Sequence, residues 1–156
     1  TDKQNIFTLR SSPEINKYLD RQPSKTIEDA INFINAINNS IKKNDSLYWA
    51  ITLTNSKTFV GTICLFDFSE EKNTCEIGYE LLTDFQGQGI MIEAAEKIID
   101  YVFETMKLQK IEAFTHIDSQ HSTKLLENLG FKKLTDVGTE NPDYISFTLT
   151  NSVAVV

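Results

Sequence analysis

In the stretch TCEIGYELL, Glu76 and Glu80 alternate with Cys75, Ile77, Tyr79 and Leu81. In a strand, both carboxylates then face one side and the apolar set the other. Carboxylates so placed can take a proton from an amine through water, or hold its cationic form. A solvated polar face or a structural ion pair would use the same pattern. Shortly after it, QGQGIM sets Gly87 and Gly89 at the head of a helix. The first turn of a helix has unpaired N–H groups and a field favourable to anions, so a bare turn there suits a phosphate or pyrophosphate. A tight strand-to-helix connection without a ligand would also use two glycines. A dinucleotide fingerprint needs a third glycine where Ile92 stands, and a Walker loop needs Lys-Ser/Thr where Ile90 and Met91 stand, so both motifs fail.

The other chemistry-bearing residues are sparse. His116 and His121 are the only histidines; His116 could act as a base, but isolated histidines mostly pack or face solvent. Cys64 and Cys75 flank a turn at SEEKN, could lie across from each other, and read best as buried reduced thiols. Two histidines and two distant cysteines lack metal-ligand spacing, so no metal is expected. Asp67 and Asp84 are candidates for contacting a cationic acceptor, or turn residues. Tyr48, Trp49, Phe66, Phe68 and Phe85 fit core or cleft walls.

These residues need elements to hold them. The pattern predicts a helix from Ser12 to Leu19 with Pro13 in its first turn, and a second helix begun by the capping box Thr26–Asp29 and striped by Ile27, Ala30, Ile31, Ile34, Ile37 and Ile41. Strands follow at 47–54, 58–68 and 74–82, joined by short polar turns as in an antiparallel meander. A long helix from about Gly89 carries a wide apolar stripe from Ile90 to Met106. Then come KIEAFTH at 110–116, a short helix from about Ser119 to Leu129, and FKKL and YISFTLT as closing strands. The order implies an α/β (α+β) layer, one mixed, mostly antiparallel sheet with helices on both faces.

At 156 residues and 40% apolar composition the chain fits one domain spanning 1–156. Its 15 Lys+Arg against 22 Asp+Glu give a formal charge of −7, which disfavours nucleic acid and suits a cationic small molecule or basic peptide. Apolar runs are shorter than the roughly 18 residues a membrane span needs, and TDKQNIF offers no signal region. A cytoplasmic protein without membrane contact is expected. YISFTLT followed by NSVAVV offers an apolar edge that a homodimer could use.

Taken together, FTLRSSPEINKYL, TIEDAINFI, EIGYELLTDFQGQGIMIEAAEKIIDYVFE, KIEAFTHIDSQHSTKLLENLGFKK and YISFTLT, in this order over about residues 6–150, resemble the GNAT family of acetyl-CoA-dependent N-acetyltransferases, in its RimJ/RimL-like branch that acetylates ribosomal protein N-termini. The resemblance implies acetyl-CoA as cosubstrate, with backbone N–H groups of Gln86, Gly87, Gln88, Gly89, Ile90 and Met91 on its pyrophosphate. Met91 departs from the family's small residue. It also implies an acetyl group where EIGYELL splays from KIEAFTH, and an oxyanion donor near Leu81 or Leu82. Glu80, nearer that cleft, is the preferred base over Glu76.

The tyrosine that many members use as acid is Leu126 here. By the same resemblance Ser122 could hydrogen-bond the departing thiolate, or act only as a helix-terminal serine, and Ser119 replaces an asparagine that contacts the pantetheine arm, or caps the helix. An opening strand expected ahead of Ile6 is read as shortened or removed. The implied reaction is direct attack in a ternary complex, with a ribosomal or other protein N-terminus, a polyamine or an aminoglycoside as acceptor. The rival reading is a non-catalytic acyl-CoA-binding module, supported by Met91, Ser119 and Leu126.

Overall fold

The computed structural model describes residues 2–135 and 140–152. The first described elements are helices, α1 (Asp2–Ser11) and α2 (Pro13–Asn16). The helix predicted from Ser12 to Leu19 is therefore shortened, and a further helix precedes it. Ser12 does start a helix, accepting a bond from the Ile15 N–H at 3.4 Å. It stops early because the Asn16 side chain turns back, its Nδ2 donating to the carbonyls of Arg10 and Ser12 at 2.8 Å each. The preceding stretch is helical because Ile6 and Leu9 bury themselves on a common face. Helix α3 (Ile27–Lys42) starts at the expected capping box, with Asp29 N–H donating to Thr26 and the Thr26 N–H to Asp29.

Strands β1 (Leu47–Thr52), β2 (Phe59–Phe66), β3 (Thr74–Leu81), β4 (Lys110–His116), β5 (Lys132–Lys133) and β6 (Tyr144–Thr150) form one sheet in the order β1-β2-β3-β4-β6-β5. Every pair is antiparallel except β3 with β4, which are parallel. A parallel pair needs a long crossover; it is supplied by α4 (Ile90–Asp100), which ends in a π-helical turn at Tyr101–Thr105.

One face of the sheet carries the main core. Ile63, Leu65, Cys75, Ile77, Leu81, Ile111, Ala113 and Phe147 pack there with Met91, Ala95 and Val102 of α4's path and with Leu126 of α5 (Gln120–Asn128). On the other face Phe33 of α3 meets Tyr48 edge to face, and the Arg10 guanidinium lies 3.7 Å from the Phe33 ring centre. The register separates the cysteines. Cys64 is opposite Gly78, and Cys75 alternates onto the main-core face, so the two do not lie across from each other. Both thiols are free, and burial pushes each up to about 12. Strand β6 lies between β4 and the two-residue β5, which pairs with it at Phe147 and Thr148; Val153–Val156 of the expected apolar tail fall outside the described residues. No helix among the described residues is long and apolar enough to cross a membrane.

Candidate active site

The site is a gap in the sheet. β3 and β4 pair only from Thr74 to Glu76 and from Lys110 to Glu112, and then part. The Leu82 N–H is bonded to the Val60 carbonyl at 2.8 Å. Because successive strand N–H groups point to opposite sides, those of Tyr79 and Leu81 point away from β2, towards the gap. The expectation of a free donor at Leu81 or Leu82 is thereby narrowed. Leu82 is engaged, and Tyr79 joins Leu81, a position that the period-two direction of backbone donors could have signalled.

A tight turn closes the upper end of the gap. After a 3-10 turn at Thr83–Phe85, Gln86 Nε2 donates to the Leu81 carbonyl at 2.9 Å and Gln88 Nε2 to the Asp84 carbonyl at 3.0 Å. Asp84 thus belongs to the turn. Gly87 and Gly89 have φ of 74° and 80°, the left-handed region that favours glycine. A Cβ at either would meet nothing within 4 Å, so the space above the turn is open. Gly89 caps α4 without a side-chain bond, and the first intrahelical bond is from Glu93 N–H to the Gly89 carbonyl at 3.1 Å. The N–H groups of Ile90, Met91 and Ile92 therefore have no earlier turn to pair with. Met91 is only 7% exposed and packs in the core, so its side chain does not fill the cradle. An open turn lined by backbone donors at a rigid helix start fits a pyrophosphate.

The two faces of the gap differ in chemistry. On the face opposite the main core stand Glu80, beside the gap, and Glu76, at the last paired position where the gap begins, four residues apart and hence about 13 Å along the strand. The Glu80 carboxylate is ion-paired with Arg21, whose Nε donates to Asn16 Oδ1 at 2.6 Å. Burial pushes the Glu80 carboxyl up, while Arg21 and Arg10 hold it down. Glu76 is pushed up to about 7, first by burial and then by the charge and hydrogen bond of Asp67. Asp67 itself has φ of 47°. The segment after α2 crosses over this face: Arg21 holds Glu80 on β3, while the Tyr18 ring lies 5.2 Å from that of His116 on β4 and the Tyr18 carbonyl accepts from the Tyr144 hydroxyl at 3.1 Å. His116 Nδ1 accepts the Asp118 N–H at 3.1 Å and its ring also meets Tyr144, so it packs rather than facing the gap freely.

On the main-core face the Tyr79 hydroxyl and Ser122 Oγ are 2.6 Å apart, joining β3 to the first turn of α5. Burial pushes the Tyr79 hydroxyl up to about 12. Ser119 occupies the N-cap position of α5, but its side chain makes no capping bond. Ser122 is not a mere cap either, since its partner is Tyr79. Leu126 is fully buried. By alternation Tyr79 belongs to the apolar set of β3; the polar end of a tyrosine on that face is the signal in the sequence for this contact. His121 is exposed, and among the described residues no group of three or more His, Cys, Asp or Glu could hold a metal.

The chain is similar to known proteins. A family model described as the acetyltransferase (GNAT) domain matches residues 1–132. An uncharacterized N-acetyltransferase of Bacillus licheniformis is 33% identical over 124 residues, covering 79% of this chain and 69% of that protein. The ribosomal-protein-S5-alanine acetyltransferase of Vibrio fischeri has a similar fold, with a TM-score of 0.77 at 21% identity over 98% of this chain and 91% of its own. So does the spermidine N-acetyltransferase of Vibrio cholerae, solved with CoA and spermine, with a TM-score of 0.82 at 18% identity over 97% of this chain and 90% of its own. The sheet order, the glycine turn at the start of α4 and these matches together make the chain a member of the GNAT family, an N-acetyltransferase of the RimJ/RimL-like kind.

Proposed function

We propose that residues 1–156 act as one domain that transfers acetyl from acetyl-CoA to a primary amine by direct attack in a ternary complex. The observation that carries this reading is the chemical difference between the two faces of the gap: carboxylates on one, a hydroxyl pair on the other. An acetyl group between them has a base on the amine's side and hydroxyl donors on the sulfur's side. The Gln86 N–H, expected among the pyrophosphate donors, is instead bonded to the Thr83 carbonyl at 3.2 Å; the backbone N–H groups from Gly87 to Met91 hold the pyrophosphate, Ser119 flanks the pantetheine arm, and the N–H groups of Tyr79 and Leu81 stabilise the oxyanion.

Glu76 is the better base. A carboxyl pushed up to about 7 exchanges a proton near neutrality, whereas Glu80 is committed to Arg21 and holds the segment after α2 against β3. Glu76 acts through water, since it lies three residues before Tyr79. The amine is that of a cationic acceptor, attracted by the formal charge of −7. A protein N-terminus and a polyamine are both acceptors of this class; of the two solved structures, one is a ribosomal-protein-S5-alanine acetyltransferase and the other a spermidine N-acetyltransferase.

Of the three departures that support a non-catalytic module, Met91 and Leu126 are core residues and Tyr79 brings a phenol to Ser122, so that Ser119 alone still speaks for it. The test is calorimetric titration with acetyl-CoA, followed by thiol release against basic N-terminal peptides, polyamines and aminoglycosides. Binding with release supports the reading. Binding without release over the whole panel supports the acyl-CoA-binding module instead.

A further inference from the structure

Tyr79 stands in the apolar set of β3, yet its hydroxyl is 2.6 Å from Ser122 Oγ. Its backbone N–H points into the gap while its side chain spans the main-core face to the first turn of α5. It is thus attached to the reaction at both ends. Either hydroxyl of the pair can donate, and the chemistry decides which arrangement is useful. A phenol is the stronger donor of the two, and burial keeps it protonated. When Tyr79 donates, Ser122 Oγ is occupied as an acceptor and its own hydrogen is free to point elsewhere.

We propose that Tyr79 is a positioning residue for acetyl transfer: its hydroxyl, donated to Ser122, aims the Ser122 hydrogen at the sulfur that leaves the acetyl group. The inference rests on the transferase reading above and deepens it. In the transfer the amine nitrogen bonds to the acetyl carbon and the carbon–sulfur bond breaks, its electron pair going to sulfur. The amine's surplus proton leaves to the carboxylate on the opposite face. Sulfur takes one proton through Ser122, which regains it from solvent, so the products are the amide and the free thiol. Tyr79 keeps its proton throughout.

The test is a double-substitution cycle, Tyr79→Phe, Ser122→Ala and both together, read as kcat and KM for acetyl-CoA. Phenylalanine keeps the ring, and a melting curve of each variant monitors folding. Tyr79→Phe should lower kcat by about tenfold, the size of one net hydrogen bond, with KM for acetyl-CoA nearly unchanged. The double variant should be no slower than Ser122→Ala alone, because a hydroxyl that acts only through Ser122 has nothing left to aim. Additive losses, an unchanged kcat, or a loss appearing in KM alone would each overturn the inference while the unsubstituted protein still turned over. Absence of thiol release by the unsubstituted protein would refute the transferase reading itself, and this inference with it.

Discussion

Gly61 lies opposite Leu81 in the β2–β3 ladder, and a Cβ there would overlap the Glu80 carbonyl oxygen and sit 3.0 Å from Leu81 Cα and 3.1 Å from Leu81 Cδ1. Two of these three neighbours are backbone atoms, which cannot rotate aside. Gly61→Ala must therefore push β3 away from β2 by on the order of 1 Å to restore ordinary contact distances. Overpacking of this kind costs about 1–3 kcal/mol, hence a fall in Tm of roughly 2–12 °C for a chain of this size. The displaced segment holds the Tyr79 and Leu81 N–H donors and Glu80. A misplacement near 1 Å lowers turnover by about 100-fold. The glycine turn stands on α4, so coenzyme A affinity by calorimetry should change by less than about threefold. Thiol release and a melting curve complete the assay. A variant with Tm within ~1 °C and kcat within about twofold of the parent would refute the claim that close backbone approach at Gly61 sets the oxyanion donors.

Other perturbations probe the remaining parts. Gly89→Glu puts bulk and charge into the open space at the start of α4 and should abolish measurable coenzyme A binding in the same titration, whereas unchanged affinity would remove the pyrophosphate from that turn. If Glu76 is the base, the rate should rise with pH through about 7, and Glu76→Gln should lose that limb. The same group affects stability. Its folded pKa lies above the ordinary 4.5, so the native state is destabilised as pH rises from about 4.5 to 7, and Glu76→Gln should flatten that decline in Tm. Glu80→Gln leaves Arg21 and Arg10 without their counter-charge and should cost about 3 kcal/mol by denaturant unfolding, while a cost near zero would show the ion pair to be dispensable.

Much of the scaffold was legible because it depends on local chemistry. The Thr26–Asp29 box fixes the start of α3, since both partners lie within one turn. Alternation in KIEAFTH and TCEIGYELL marks β4 and β3, and the glycines mark the left-handed turn before α4. The error at the N-terminal end has a local cause too. DKQNIFTLRS carries few apolar residues and no capping box, so its helix depends on burying Ile6 and Leu9 rather than on any signal within the segment.

The types of the site residues were legible as well, but their partners were not. By itself the sequence determined that two carboxylates share one face of a strand and that a backbone cradle heads a helix. It could not determine that Arg21 pairs with Glu80, that the register sends Cys64 and Cys75 to opposite faces, or that Tyr79 reaches Ser122. These are contacts between segments far apart in the chain, set by strand register and helix docking. Only the packed sheet decides which of two chemically equal glutamates is ion-paired and which is not held by Arg21, because desolvation and ion pairing depend on what is brought near each carboxylate.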